Sequence, residues 1–167
     1  MLSAYLKLVG ETSGEIRGPV RDRDVAKEGS ILLLAVEHGI VSPRDSATGQ
    51  ATGKRQHLPI TLTKETDNTS PLFYRFIVRN ETIQTAEIFF FGSGSQSGLS
   101  AGREAIQYKI TLTKAFVSKV EFIGHTDAAA QASNRFPLTE KISLVYESIH
   151  WEWISPKATE DDFFKPP

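Results

Sequence analysis

The feature of this sequence that most constrains its fold is a period-two alternation of apolar residues, which recurs in separate segments along the chain. This alternation is typical of β-strands that bury one face and expose the other. It is clearest at residues 6–8, 58–62, 86–90, 108–112 and 142–146. Polar loops separate the segments. The sequence therefore predicts a mainly β protein.

Several predicted strands change the face that is apolar, which indicates how the sheets curl. The first half of residues 31–41 is apolar at both parities, and we expect it to be buried on both faces. Residues 86–91 are also apolar on both faces near their end. The alternation slips at residues 114–117 and switches parity before Ile149, where we expect bulges or bends. These switches predict a closed or nearly closed β-barrel of two curled antiparallel sheets.

One segment has helical rather than strand periodicity. Ser70 is a good N-cap, and Pro71 suits the first helical position, where its missing N–H costs no hydrogen bond. Asn80 is suited to end the helix. The apolar stripe at helical spacing consists of Leu72, Phe73, Phe76 and Ile77. We expect one short α-helix over residues 71–79 that packs against a sheet.

The length of the chain, 167 residues, suits one domain. We expect residues 1–155 to form the β-barrel domain and the polar residues 156–167 to form a flexible tail. The N-terminus has no basic region before an apolar stretch of signal length, so we expect no cleavable signal peptide. The longest apolar run, residues 31–36, is too short for a bilayer, so we expect no membrane insertion.

Charge and cysteine content exclude several classes of protein and site. The formal net charge is −1, so the basic excess of a nucleic-acid binder is missing and we expect no nucleic-acid partner. The sequence has no cysteine, which excludes disulfides, thiolate nucleophiles and Cys-based zinc sites. The histidines lie too far apart in sequence for common metal motifs, and we interpret all of them as structural or solvated: His38, His57, His125 and His150.

Motifs for catalysis or cofactor binding are not found. The Gly-rich residues 92–98 precede a predicted strand instead of the helix that a phosphate-binding loop requires. The TGKR at residues 52–55 lacks the earlier glycine of a Walker A motif. His125 and Asp127 could form a local pair, but an acid–base site needs further converging groups. We expect a protein that is not an enzyme and has no cofactor or metal.

Four segments, taken in order, resemble stretches of one known protein family. AYLKLVGETSGEI at residues 4–16 is similar to that family's first strand and turn. VEHGIVSPRDSATGQATGKRQHLPITLTKETDNTSPLFY at residues 36–74 resembles its most recognisable stretch. YKITLTKAFVSKVEF at residues 108–122 and EKISLVYESIHWEW at residues 140–153 look like its paired late strands. Over residues 4–155 the chain thus resembles the haemolysin-coregulated protein (Hcp) family of bacterial type VI secretion systems.

The resemblance implies a compact β-barrel with one helix that assembles as a homohexameric ring. Stacked rings form an inner tube, which a contractile sheath propels beneath a VgrG-type spike protein, and small effector proteins are carried in the lumen. It implies a structural subunit, receptor and export chaperone that resides in the bacterial cytoplasm before firing and is then secreted. Strands that are apolar on both faces fit this assembly, because a ring interface would cover the surplus apolar surface.

Residues 42–55, which we call the arm, are long for a structureless loop and predict an extended hairpin. The mixed charges of Arg44, Asp45, Lys54 and Arg55 are suited to contacting a neighbouring subunit or the next ring. We therefore predict that the arm is an assembly and stacking element. A solvated flexible loop is the alternative interpretation of the same residues.

A second interpretation of the whole chain is a monomeric β-barrel module that binds a small ligand or a carbohydrate. Trp151 and Trp153 share one face of a predicted strand and could form its aromatic platform. Packing in a core or an interface is the commoner fate of such a pair. The assembly state separates the two interpretations, because the binding module predicts a monomer.

Overall fold

A computed structural model describes residues 2–93, 104–124, 138–154 and 158–163. The prediction of a mainly β chain with one short helix is confirmed. The elements are β1 (Ser3–Gly10), β2 (Gly14–Ile16), β3 (Ile31–Leu33), β4 (Ala35–Glu37), β5 (Ile40–Val41), β6 (Gln56–His57), β7 (Ile60–Glu65), α1 (Ser70–Arg79), β8 (Ile83–Ser93), β9 (Glu104–Gly124), β10 (Leu138–Trp153) and β11 (Ala158–Phe163).

All strand pairs are antiparallel, and the principal sheet has the order β2-β1-β8-β9-β10-β7-β4. The segment 31–37 pairs with strands near both ends of this row. Its first part, β3, pairs with β1, and its second part, β4, pairs with β7. Between them the Leu34 N–H donates to the Thr63 carbonyl at 2.7 Å. A single short segment therefore joins two strands that are far apart in the sheet order.

The prediction that the first half of residues 31–41 is buried on both faces is wrong. Ile31 and Leu33 are buried, whereas Leu32 between them is 40% exposed. Only one face of this segment meets the core, because Leu32 and Leu34 on its other face line a cavity of about 160 Å³ instead. The predicted strand is also interrupted, since β3, β4 and β5 are three separate pieces.

The core consists of the inward-facing residues of the curled sheet together with two aromatic residues of α1. Phe73 and Phe76 are each 1% exposed. They pack with buried aliphatic residues that include Leu6, Leu62 and Leu112. The amphipathic stripe predicted from the sequence places these rings, although Ile77 at its edge is 38% exposed. Packing against the sheet is what stabilises a helix of this length.

The start of α1 differs from the sequence prediction. The helix begins at Ser70, and its N-cap is Thr69, whose side chain forms no capping hydrogen bond. The Ser70 hydroxyl instead donates to Glu140 Oε1 at 2.8 Å and accepts from the Asp67 N–H at 2.9 Å. The predicted end is confirmed, because Asn80 adopts the left-handed conformation with φ 50°.

The second apolar face of β8 is covered within the chain. Phe91 is 1% exposed, and the Lys27 ammonium lies 4.6 Å from its ring centroid. Lys27 also pairs with Glu104 at 2.5 Å, and the Tyr5 ring packs edge-on against Phe91. The loop that contains Lys27 therefore takes up apolar surface that we had expected a ring interface to cover.

The bend expected at residues 114–117 is present in β9. Lys114 has a positive φ of 49°, and the register between β9 and β10 shifts between Ser143 and Leu144. The 21-residue β9 and the 16-residue β10 pair along most of their length across this irregularity. The bulge lets two long strands follow a curved sheet.

The expectation that residues 156–167 form a flexible tail differs from the structure. Ala158–Phe163 forms β11, which pairs with β10 from Ser148 to Trp153. The segment is polar because most of its described side chains point to solvent. Its backbone pairs with the part of β10 that β7, which ends its pairing at Leu144, leaves free. Polarity alone does not distinguish such an edge strand from a mobile tail.

Candidate functional site

The arm is a hairpin that projects from the sheet. Its base is the two-residue ladder between β5 and β6, with Ile40 opposite His57 and Val41 opposite Gln56. A further bridge joins Arg44 to Ala51, and the Thr52 N–H donates to the Pro43 carbonyl at 3.0 Å. All arm residues except Pro43 are exposed. The prediction of an extended hairpin is therefore correct, and the arm has a defined shape.

Asp45 shapes the tip of the arm. Its Oδ1 accepts from the Thr48 N–H at 2.7 Å, the Thr48 hydroxyl at 2.9 Å and the Ala47 N–H at 2.9 Å. These hydrogen bonds, the Thr48 N–H first, lower the pKa of Asp45 below its ordinary value. Gly49 supplies the positive φ, 71°, that the turn requires. The Asp45 Oδ1 atom is thus hydrogen-bonded to other residues of the arm.

The other predicted arm residues have different surroundings. Arg44 donates to the Gly49 carbonyl at 3.1 Å, so it supports the same turn as Asp45. Lys54 is exposed and forms no ion pair with any residue that the structure describes. Arg55 lies at the base, where it forms a two-pronged ion pair with Asp162 of β11, with Nε at 2.6 Å from Oδ2. That hydrogen bond raises the pKa of Arg55.

A hydrogen-bonded cluster lies at the base of the arm, and we call it the arm-base cluster: His38, Arg55, His57, Tyr146 and Asp162. The Tyr146 hydroxyl lies 2.6 Å from His38 Nε2 and 2.8 Å from His57 Nδ1. His57 Nε2 lies 3.0 Å from Asp162 Oδ2. His38 precedes the arm and His57 follows it, so both ends of the arm are tied to Tyr146 on β10.

The electrostatics of the arm-base cluster follow from burial. The His57 side chain is 1% exposed, and that of Asp162 is 15% exposed. Burial, and then the neighbouring His57 ring, lower the pKa of His38 below its ordinary value. Burial and the negative charge of Asp162 raise the pKa of Tyr146. A tyrosine shifted in this direction stays protonated and serves as a hydrogen-bonding group, not as a nucleophile.

Sequence reasoning did not find the arm-base cluster. It classed His38 and His57 as structural or solvated, and the buried cluster agrees with the structural role. It gave no role to Tyr146, and it interpreted Asp162, together with Glu160 and Asp161, as a solvated acidic patch, whereas the Asp162 side chain is 15% exposed. Tyr146 and Asp162 are 89 and 105 residues from His57. No local sequence pattern links positions so far apart. The pairing of β10 with β11 brings Tyr146 and Asp162 to the same region of the fold.

Two concave surfaces lie near this region. One, of about 410 Å³, is lined by Glu37, His38, Gly39, Leu58, Pro59, Thr61 and Ser143. The other, of about 290 Å³, is lined by Leu2, Phe90, Gln107, Tyr108 and Trp153. Trp153 is 39% exposed there, with its ring 6.4 Å from that of Tyr108. Trp151 is half-buried against the core, 6.0 Å from the His38 ring, so the two Trp side chains do not form one platform.

In the described part of the chain, no group of three or more His, Asp or Glu side chains could hold a metal ion. His125 and Asp127 lie outside the described residues, as does most of the Gly-rich loop 92–102. The helix that the structure describes is too short to cross a membrane. The arm and its base are the site that the geometry of the described residues defines.

Comparison with known proteins identifies the class of protein to which this chain belongs. Residues 5–153 match the family model described as "Type VI secretion system effector, Hcp". The "Major exported protein" of Pseudomonas aeruginosa is 25% identical, over 98% of this chain and 96% of that protein. The chain is therefore a secreted protein of type VI secretion.

Solved structures agree with this class. Hcp1 of the Escherichia coli pathovar EAEC 042 is 28% identical, covers 99% of this chain and all of its own, and has a TM-score of 0.81. A structure described as Hcp protein shares the fold with a TM-score of 0.85 at 22% identity, with each chain covered in full. Hcp3 of Pseudomonas aeruginosa has a TM-score of 0.76 at 18% identity, covering 99% of this chain and all of its own. The chain belongs to the Hcp family, as its sequence predicted.

Proposed function

We propose that this chain is the structural tube subunit of a type VI secretion system. Copies form hexameric rings, the rings stack into a tube, and the lumen receives and protects small effector proteins during export. A VgrG-type spike and a contractile sheath are the other partners, and the subunit has no catalytic role. It resides in the bacterial cytoplasm until firing and is then secreted.

The observation that supports assembly most directly is the geometry of the arm. A hairpin with a shaped tip projects from the sheet and contacts the body of the chain at its base. Large apolar side chains are exposed beside that base: Ile40 is 39%, Val41 48% and Leu58 48% exposed. A projecting hairpin flanked by exposed apolar residues is suited to bind a second copy of the chain. Lys54 and the arm backbone are available for the polar part of that contact.

We also propose that the principal sheet is a closed barrel comprising residues 1–155. The pairing of β3 with β1 and of β4 with β7 supports closure, because it links the two sides of the row through one segment. Closure leaves no free edge along this part of the sheet, and free edges are sites of uncontrolled pairing. A closed unit is suited to a subunit whose contacts must be restricted to defined surfaces such as the arm.

The test is the mass of the purified chain by light scattering after size exclusion, over a range of concentrations. We expect a species of about six times the 18.5 kDa chain mass. Dilution is expected to shift the species toward smaller forms if the ring contacts are weak. A strict monomer at the highest concentration would contradict the proposed tube subunit.

The contribution of the arm is tested separately by deleting residues 44–54. Pro43 and Arg55 then meet in a three-residue loop with Ser42, which is an ordinary length for the hairpin of β5 and β6. We expect the variant to keep the circular dichroism of the intact chain and to lose rings or stacked rings. A truncated variant that assembles and stacks normally would remove the arm from the proposal.

The monomeric ligand-binding module is retained as a second candidate because of the apolar surface beside Trp153. Tyr108 and Trp153 could stack on a planar apolar or carbohydrate ring. This function predicts a monomer and saturable quenching of Trp fluorescence by the ligand. Trp153→Ala abolishes that quenching under the second candidate and leaves ring formation intact under the first.

A further inference from the structure

The C-terminal strand, β11, reaches the arm through the side chain of Asp162. Asp162 of β11 binds the Arg55 guanidinium with both carboxylate oxygens and also accepts from His57. Arg55 ends the arm, and His57 lies in β6 directly after it. These contacts cross 105 to 107 residues of sequence. A planar guanidinium bound at two points fixes direction as well as distance.

The hydrogen bonds of the arm-base cluster form a chain from β11 to His38, which precedes the arm. An ionised carboxylate only accepts, so Asp162 Oδ2 takes a hydrogen bond from His57 Nε2–H at 3.0 Å. His57 Nδ1 lies 2.8 Å from the Tyr146 hydroxyl, which lies 2.6 Å from His38 Nε2. Asp162 is thus linked through His57 and Tyr146 to His38 on the other side of the arm.

The other contacts described for β11 are with β10. Its backbone pairs with β10, and Asp161 contacts His150 on β10. Asp161 is 65% exposed, whereas Asp162 is 15% exposed. These two neighbouring carboxylates therefore point to opposite faces of the strand, and of the two it is Asp162 that faces the arm.

We propose that Asp162 is the positioning residue of the arm: the C-terminal strand sets the direction in which the arm projects, and thereby sets how readily copies of the chain assemble. The effect on assembly rests on the proposed function, whereas the effect on the direction of the arm does not. Arg55, which the sequence analysis assigned to contacts with another subunit, acts within its own chain. The chain end and the arm are in this way one unit, so a change in β11 alters assembly without altering the sheet.

The experiment measures the arm and the assembly independently. Because the chain has no cysteine, Gln50→Cys at the arm tip and Lys119→Cys on β9 can be spin-labelled without background. The distance between the two spin labels is measured by pulsed electron–electron double resonance. The measurement is made on the doubly labelled chain with no other change, with Asp162→Ala, and with the matched control Asp161→Ala. The labelled chain is diluted with unlabelled chain of the same type, so that distances within one copy dominate. Light scattering is measured on the unlabelled forms.

We expect a narrow distance distribution for the unaltered chain and for Asp161→Ala, and a broad one for Asp162→Ala. The concentration for half-assembly should rise by about tenfold or more in Asp162→Ala, which equals ~1.4 kcal/mol. It should stay within about twofold in Asp161→Ala. Circular dichroism and thermal melting check that the sheet is retained in each variant.

The exchange of charges, Arg55→Asp with Asp162→Arg, keeps the proposal testable if Asp162→Ala loses β11. At pH 8 this variant restores the ion pair without the His57 contact, and we expect it to recover much of the narrow distribution and of the assembly. A narrow distribution in Asp162→Ala overturns the proposal, and so does a broad one with unchanged assembly. If the unaltered chain never assembles, the tube-subunit function fails, while the distances still decide whether Asp162 positions the arm.

Discussion

At the scale of single residues, the most demanding contact is the buried ion pair between β7 and β10, which the Ser70 hydroxyl of α1 also contacts. Lys64 and Glu140 are both 0% exposed, with Nζ 2.8 Å from Oε1. Lys64 also binds Asp67 at 3.0 Å and the Ser70 hydroxyl at 3.2 Å. The second oxygen, Glu140 Oε2, has no hydrogen-bond partner among the described residues. Each charge therefore depends on its partner to offset the cost of leaving water.

We expect Lys64→Met to lower the free energy of unfolding by about 3–5 kcal/mol, because it leaves Glu140 buried without its cation. Lys119→Met is the matched control, since the Lys119–Glu121 pair is 59% and 47% exposed. It should cost no more than about 1 kcal/mol. Urea denaturation measures both. Equal effects of the two substitutions would contradict the assignment of Lys64 as a buried structural charge.

Glu81 gives a pH dependence whose sign can be worked out. Burial raises its pKa, but hydrogen bonds from Ser13 and Thr12, with the charge of Arg75, outweigh burial, and the pKa lies below the ordinary 4.5. The Ser13 N–H lies 2.6 Å and the Thr12 N–H 3.0 Å from Oε1. A carboxylate with a lowered folded pKa stabilises the fold above its unfolded pKa, and this stabilisation is lost as the pH falls through the folded value.

We therefore expect the unfolding free energy of the unaltered chain to fall as the pH is lowered through and below the ordinary pKa of 4.5, and to fall less in Glu81→Gln. At neutral pH the variant is the less stable of the two, because Gln accepts these hydrogen bonds without a charge. Denaturant unfolding at several pH values measures the difference. Parallel curves for the two chains would show that Glu81 does not contribute in this way.

At the scale of elements, the approach of β2 to the start of β3 depends on a glycine. The Gly18 N–H donates to the Gly29 carbonyl at 2.7 Å. A Cβ at Gly18 would lie 2.1 Å from the Ser30 carbonyl oxygen and 2.7 Å from Ile31 Cγ1. The obstacle is backbone, which cannot rotate away. The loop between β2 and β3 can therefore close only over a residue without a side chain.

We expect Gly18→Ala to lower the unfolding free energy by about 1–3 kcal/mol through this overlap. Gly53→Ala in the arm is the control, because its Cβ would meet only Pro43 at 3.7 Å, an ordinary contact. Its effect should stay within about 0.5 kcal/mol. Thermal melting compares the two. A Gly18→Ala chain as stable as Gly53→Ala would mean that the loop can shift to admit a methyl group.

At the scale of the whole molecule, the decisive feature is the segment that contains β3 and β4. Its first residues pair with β1 and its last with β7, so residues at two ends of the sheet order are joined within seven positions of sequence, 31–37. The proposed closure turns a row of strands with two edges into a closed unit from which the arm projects. The location of the arm influences which surfaces other copies can reach.

Closure predicts slow amide exchange at β3 and β4. We expect the hydrogen-bonded amides of residues 31–37, Leu34 in particular, to exchange as slowly as those of β8. They should exchange at least about a hundredfold more slowly than residues 46–50 at the arm tip. Hydrogen exchange read by mass spectrometry measures this. Exchange of residues 31–37 at the rate of the arm tip would contradict a closed barrel.

The features that depend on neighbouring positions could be predicted from the sequence alone. Alternation predicted the strands, since side chains of a strand point alternately to its two faces. The stripe around Phe73 and Phe76 predicted α1, and Asn80 predicted its end. The slip at residues 114–117 predicted the bend in β9. The ordered motifs predicted the family. All of these are local patterns, and local sterics and amphipathicity act within a few residues.

Contacts between distant positions could not be predicted from the sequence and are seen only in the tertiary structure. Leu32 is exposed although its neighbours predicted burial, because which face meets the core depends on the strands beside it. Residues 158–163 form β11 although they are polar, because β10 offers them a free edge. Lys64 meets Glu140 across 76 residues and Arg55 meets Asp162 across 107. Such pairs are set by the register of paired strands, and register is a property of the assembled sheet that no single segment specifies.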